Sequence, residues 1–306
     1  MRIASALAEV GPTLDPLSDL RRLTTYPFMV NALEAGTIVA VMAGVVGWFM
    51  VLRRQTFAGH TLSLMAFPGA TAALLLGLSA AAGYFVFCTL AALAIGASAS
   101  SQTRSGRSQE SAVTGTVQAV GVACGFLFLT LYQGVLANFE SLLFGSFLGI
   151  TSGQVLALLI VAALALCFFA GVGRPLLFAS LDEDVARAHG VPTRALALGF
   201  LIVLGLAVAA TAQITGVLLV FALLVAPAAT ARLITARIWA SLLLTVALGV
   251  AITWLGLALA YFFEYPVGFY VTTVAFALYV LVRATRAAID HPTMLRPRAS
   301  RYAAEV

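Results

Sequence analysis

The chain has 306 residues, of which 62% are hydrophobic and only 9% charged, where a soluble domain carries roughly 25% charged residues. A mean hydropathy of +1.04 excludes a soluble globule, and apolar runs near ~20 residues suit helices that cross a bilayer, not the alternating ~10-residue strands of a membrane barrel. The net charge of +5 rests on arginine alone, with no lysine; the arginines stand singly or in pairs between apolar runs, which is a topology signal and not a nucleic-acid-binding patch.

In chain order, residues 1–27 set Arg2, Arg21 and Arg22 against Glu9, Asp15 and Asp19 and read as a short interfacial segment or a flexible tail. No charged n-region leads into an apolar core there, so no cleavable signal peptide is expected. Membrane spans are predicted at about 28–52, 60–80, 84–100, 111–136, 155–172, 196–212, 216–234, 239–262 and 267–283. The fold class is therefore all-α: a polytopic transmembrane helical bundle of nine spans, or eight if 196–234 is not two full crossings. Its transmembrane domain covers 28–284, and an Arg-rich tail follows at 285–306. Glu34 lies near the start of the first span, where it can snorkel to the interface.

Three segments interrupt the spans. Residues 101–110 form a polar linker. Residues 138–151 are too short and Gly-rich to cross, so they read as a re-entrant or interfacial element that needs protein or water over its backbone. The longest polar loop of the body runs over 174–194. Within it, 181–192 reads as a short amphipathic helix, with Asp182, Glu183 and Asp184 in its first turn and Gly190 and Pro192 at its end. If the chain starts outside, every arginine except Arg2, Arg21 and Arg22 falls inside, as does the C-terminus. Cys88, Cys124 and Cys167 lie within apolar runs and read as packing residues. Gly44 and Gly47, Gly121 and Gly125, and Gly199 and Gly205 permit close helix approach.

Four features carry possible chemistry. In the first, Arg53 and Arg54 close one span, Gly59 and His60 open the next, and Pro68 and Gly69 interrupt it. An intramembrane ionisable group is a pathway candidate, which singles out His60 with its hydroxyl neighbours Thr61 and Ser63; the plainer reading is a histidine bonded to a backbone carbonyl. The second feature is the run from Gly216 to Arg232, where Pro227 frees a carbonyl that Thr230 can satisfy, unless Thr230 lines a pathway. Third is the 181–192 helix, either a docking site for a partner or a solvated face. The fourth is Leu143, Phe144, Gly145 and Ser146 with Gly149. Ser63 and His60 are one turn apart, like a nucleophile and base, but no acid orients the imidazole, which argues against an intramembrane enzyme. His189 and His291 read as solvated.

Together these features resemble the permease subunits of the zinc/manganese/iron-type metal ABC importers, the ABC-3 family, over about 26–282. The family's V-L-R-R-x-x-F-x-G-D-x-x-S-H-x-x-x-P-G stretch falls at 51–69, and its L-F-G-S-x-L-G at 143–149. Its D-x-x-x-A-R-x-x-G-V loop falls at 182–191, covering Asp182, Glu183, Asp184, Arg187 and Gly190. Its G-x-L-L-x-x-A-L-L-x-x-P-A-A-T-A helix falls at 216–231. The resemblance implies a homodimeric permease in the bacterial cytoplasmic membrane, without its own ATPase motif or a permanently bound cofactor, that passes a divalent metal such as zinc, manganese or iron. It implies that the 182–191 loop docks a separate cytoplasmic ATPase. An extracytoplasmic metal-binding protein would deliver the ion near 138–149 and 262–266. Two positions depart from the family pattern: its aspartate is His60 here and its histidine is Leu64. The carboxylate and second ligand are lost, and an imidazole suited to zinc and acceptable to manganese or iron remains. On a two-fold axis, two such imidazoles would meet. A permease for a chelated or organic substrate is the alternative.

Overall fold

The computed structural model describes residues 25–100, 106–132, 145, 149–263 and 265–290. Its long helices are α1 Pro27–Leu52, α2 Thr56–Leu75, α3 Ala80–Ser100, α4 Gly106–Leu131, α5 Ser152–Leu181, α7 Thr193–Thr215, α8 Val217–Ile234, α9 Ile238–Phe262 and α10 Val267–Asp290. A short helix, α6 Glu183–Ala188, joins α5 to α7. The fold is the expected all-α membrane bundle, and 196–234 is two helices broken at Gly216. Among the described residues seven helices are both long and apolar enough to cross a membrane; α2 is not one of them, and it carries one of the motifs singled out above. Polar residues such as His60, Thr61, Ser63 and Thr71 dilute α2, which packs against α3, α4, α7 and α8 and so does not need a lipid-compatible surface. With 18 residues, α8 reaches ~27 Å at 1.5 Å per residue, close to the ~30 Å thickness of the hydrocarbon core.

Several boundaries differ from the sequence expectation. The start of α4 is Gly106, inside the expected polar linker, and its end is Leu131, not 136. Helix α3 starts at Ala80 and α10 runs on to Asp290. The largest difference is at α5, which continues through Pro175 to Leu181, where a loop was expected from 174. Proline removes one helical hydrogen bond, but Leu176 beyond it is fully buried, and that burial holds the extra turns in place. The segments 1–24, 101–105, 133–144, 146–148 and 291–306, with Leu143, Phe144, Ser146 and His291, lie outside the described residues.

Glycine sets the closest helix crossings. A Cβ on Gly69 of α2 would strike the carbonyl of Gly83 on α3, and one on Gly83 would strike the carbonyl of Gly69. On α4, Gly121 and Gly125 receive the side chains of Met65 and Phe67 from α2. On α1, Gly47 lies against the backbone of Leu224 in α8, and on α7 a Cβ at Gly205 would lie 2.9 Å from the Cys88 carbonyl of α3. Such contacts gain dispersion energy that lipid cannot replace.

The helix ends fall into two groups. At one end Trp48 Nε1 donates to Ser241 Oγ (3.1 Å), Arg53 Nη1 to Ser180 Oγ (3.2 Å) and Arg286 Nη2 to the Ile234 carbonyl (2.6 Å). This end therefore gathers the arginine-bearing corners. At the other, Asn31 Nδ2 donates to the Ile150 carbonyl (3.1 Å), and Tyr26, Phe28, Tyr261, Phe262, Tyr265, Phe269 and Tyr270 form ring contacts. Aromatic rings concentrate at membrane interfaces.

Candidate functional site

The turn from α1 into α2 takes three residues, and Arg54 adopts a left-handed conformation (φ 58°) to make it, which costs an L-residue roughly 1–2 kcal/mol. Gln55 then caps α2, accepting from the Gly59 amide at 3.0 Å. Gly59 admits Met50 of α1, whose sulfur occupies the space a Cβ would need. This close fit places His60 one turn into α2, with its ring edge-on to Phe221 of α8 at 4.9 Å between centroids. His60 Nδ1 is buried and, among the described residues, has no hydrogen-bond partner. The plainer expectation, a carbonyl-bonded imidazole, is therefore not met at this nitrogen. An unpaired buried polar atom is costly, and membrane-embedded ionisable groups mark pathways for this reason.

The other two candidates on this segment make different contacts. Thr61 is fully buried and donates to Gln118 Oε1 of α4 at 3.0 Å. Ser63 is buried and donates to the helix's own carbonyls, Gly59 O at 3.1 Å and His60 O at 2.8 Å. Its proton is therefore committed to backbone, so the Ser63–His60 spacing does not produce a nucleophile–base pair through Nδ1. The partly open strip of α2 instead runs through Thr56, His60 and Leu64, one turn apart. On α8 a matching strip runs through Phe221, Ala222, Val225, Ala226 and Ala229. The two strips adjoin at the His60–Phe221 contact. Sequence reading missed Phe221, one of 20 phenylalanines, and Gln118, whose polarity within an apolar run was a usable signal.

Gly216 separates α7 from α8 with φ 74° and ψ 161°, a geometry reserved for glycine. Gly145, at φ 78°, packs against Ile214, Thr215 and Gly216 so closely that a Cβ would meet their backbone. Gly145 of the 143–149 motif thus lies on the α7–α8 break. Pro227 and Thr230 are both buried. Thr230 donates to the Ala226 carbonyl at 2.7 Å; the carbonyl that Pro227 frees, one helical turn back, is that of Leu223. The expected role of Thr230 is corrected accordingly: it bonds its own i−4 carbonyl.

The 182–191 motif is a self-contained cap-to-cap unit. Asp182 Oδ1 accepts from the Val185 amide at 3.0 Å. Glu183 pairs with Arg187 at 2.6 Å, and Asp184 approaches Arg187 at 3.8 Å. At the far end Gly190 takes φ 79°, its amide bonds Arg187 O and the Val191 amide bonds Ala186 O, both at 3.0 Å, which is the Schellman pattern. Only Ala186 is buried; the Glu183, Asp184 and Arg187 side chains are 61%, 96% and 57% exposed. The exposed His189 accompanies them, as expected, with Nδ1 2.9 Å from the Val185 carbonyl. Among the described residues no cluster of three or more His, Cys, Asp or Glu is arranged to hold a metal.

The model of the ABC 3 transport family matches residues 25–286. A manganese transport system membrane protein, MntC of Halalkalibacterium halodurans, is 28% identical over 85% of this chain and 88% of its own length. The chelated iron transport system membrane protein YfeC of Yersinia pestis is 29% identical over 81% of this chain and 83% of its own. The solved structure of PsaBC from Streptococcus pneumoniae in complex with Fab aligns at a TM-score of 0.75 with 26% identity, covering 87% of this chain and 94% of that one. With the family match over most of its length and its multi-pass helical bundle, the chain belongs to the ABC 3 transport family of membrane proteins.

Proposed function

We propose that this chain is the permease subunit of an importer for a divalent transition metal, working as two copies in the bacterial cytoplasmic membrane. The arginine-bearing end, with α6 and the C-terminus, faces the cytoplasm. A separate ATPase docks on the exposed charges of α6, and an extracytoplasmic metal-binding protein delivers the ion at the aromatic end. The observation that carries the reading is His60: a buried, unpartnered imidazole nitrogen between the partly open strips of α2 and α8. Two imidazoles, one from each copy, would offer a passing ion a weak site, suited to zinc and acceptable to manganese or iron. Thr61, bonded to Gln118, and Ser63, bonded to backbone, hold the helix that presents His60.

A second reading has its own support. Carboxylates within the long helices occur only at Glu34, Glu110 and Asp290, so α2 and α8 themselves carry no anionic group to offset a bare dication at His60. A metal that travels as a chelate would not need one. Both readings are tested by reconstituting the chain with its ATPase and binding protein and comparing wild type with His60→Ala. Stimulation of ATP hydrolysis by zinc, manganese or iron that falls about tenfold in the variant, a loss of ~1.4 kcal/mol, supports the first. Stimulation by a metal chelate alone, insensitive to His60→Ala, supports the second.

A further inference from the structure

We infer that Arg53 is a positioning residue that ties the cytoplasmic helix α6 to the His60-bearing helix α2. This rests on the permease reading above. Arg53 follows α1 directly, and its guanidinium reaches the cap residue of α2, the end of α5 and α7. Its Nη1 donates to Ser180 Oγ at 3.2 Å, its Nε donates to Gln55 Oε1 at 3.2 Å, and its Cζ lies over the Phe200 ring of α7 at 5.3 Å.

Each contact lies on a short route. Ser180 is in the last turn of α5, two residues before Asp182, which terminates α5 and caps α6. Its own proton goes to the Leu176 carbonyl at 2.5 Å, so its oxygen is oriented to accept from Arg53. Helix α6 is held to the end of α5 by the buried Ala186 and by the edge contact of His189 with Phe178 at 5.8 Å. Phe200 stands on α7, which begins just after α6. Gln55 is the cap residue of α2, five residues or ~7.5 Å along the axis from His60. The left-handed Arg54 makes the corner beside Arg53 tight, leaving little slack between α1 and α2. A shift of α5 and α6 is thereby passed through one planar, multiply bonded side chain to the start of α2, and lysine cannot reproduce that fork and stacking geometry.

The test uses the full complex of permease, ATPase and binding protein in proteoliposomes, with zinc, manganese and iron as offered ions. Three quantities are read: ATPase co-purification, ATP hydrolysis, and ions imported per ATP. For Arg53→Ala the tie predicts unchanged co-purification, continued ATP hydrolysis, and ions per ATP lower by about tenfold, within the usual span of coupling between sites. Arg53→Lys should recover part of that ratio. If Arg53→Ala does not fold, Ser180→Ala combined with Phe200→Leu removes the contacts to α5 and α7 and should lower the ratio in the same direction. A ratio equal to wild type in well-assembled variants overturns the tie. Wild type that neither binds the ATPase nor imports any offered ion overturns the permease reading beneath it, and is recognised because wild type itself fails.

Discussion

Gly69 and Gly171 are both helical glycines, and they should respond to alanine in opposite ways. At Gly69 the new methyl would meet the backbone of Gly83, where neither helix can yield without separating. Overpacking of this kind costs about 1–3 kcal/mol. Gly171 has nothing within 4 Å of its would-be Cβ, so Gly171→Ala gains helix propensity of up to ~1 kcal/mol. Thermal unfolding in detergent should show a lower midpoint for Gly69→Ala and an unchanged or higher one for Gly171→Ala. A lower midpoint for both would mean the crossing geometry is wrong. His60 is the residue where packing and the proposed function diverge: Phe221 supplies it an edge contact but no proton partner for Nδ1. His60→Phe should therefore leave the melting midpoint near wild type while removing the imidazole. A large drop in midpoint would reveal a structural histidine.

At the scale of the element, α6 separates a cap from a charge. Asp182 accepts from the Val185 amide, and asparagine caps about as well while alanine loses ~1 kcal/mol. Asp182→Asn should keep α6 folded, so any loss of ATPase co-purification in that variant reports charge alone. Reversing Glu183 to lysine replaces the attractive pair with Arg187 by a like-charge pair on the face proposed to dock the ATPase, and should lower co-purification. Unchanged co-purification and uptake after both substitutions would remove α6 from the docking surface. This helix was legible in sequence because its cap, its acidic first turn and its terminal glycine are all local signals. The end of α5 was not, because Arg174 and Pro175 look like a loop opening and only the tertiary burial of Leu176 keeps the helix going. One of the two expectations for Thr230, that it takes the carbonyl freed by Pro227, failed for a similar reason: its i−4 carbonyl, Ala226, is always within reach, whereas the freed carbonyl lies a full turn further back.

Across the whole molecule, α2 and α8 are the two helices that meet at His60. Helix α2 is polar where lipid would forbid it and is enclosed by α3, α4, α7 and α8; α8 starts at a glycine-only break. Composition and hydropathy gave the all-α bundle and the separate segments, and ordered motifs carried the family resemblance. The juxtapositions of His60 with Phe221, of Thr61 with Gln118 and of Arg53 with Ser180 and Phe200 depend on contacts far apart in the chain, which no local pattern encodes. The central claim is that this bundle moves a divalent transition metal under the power of a separate ATPase. It is tested most directly by uptake of radiolabelled zinc, manganese and iron into proteoliposomes holding the permease, its ATPase and the loaded binding protein. The account predicts ATP-dependent accumulation of at least one of these metals, strongly reduced in His60→Ala. It is contradicted if none of the three accumulates, or if accumulation proceeds equally without ATP.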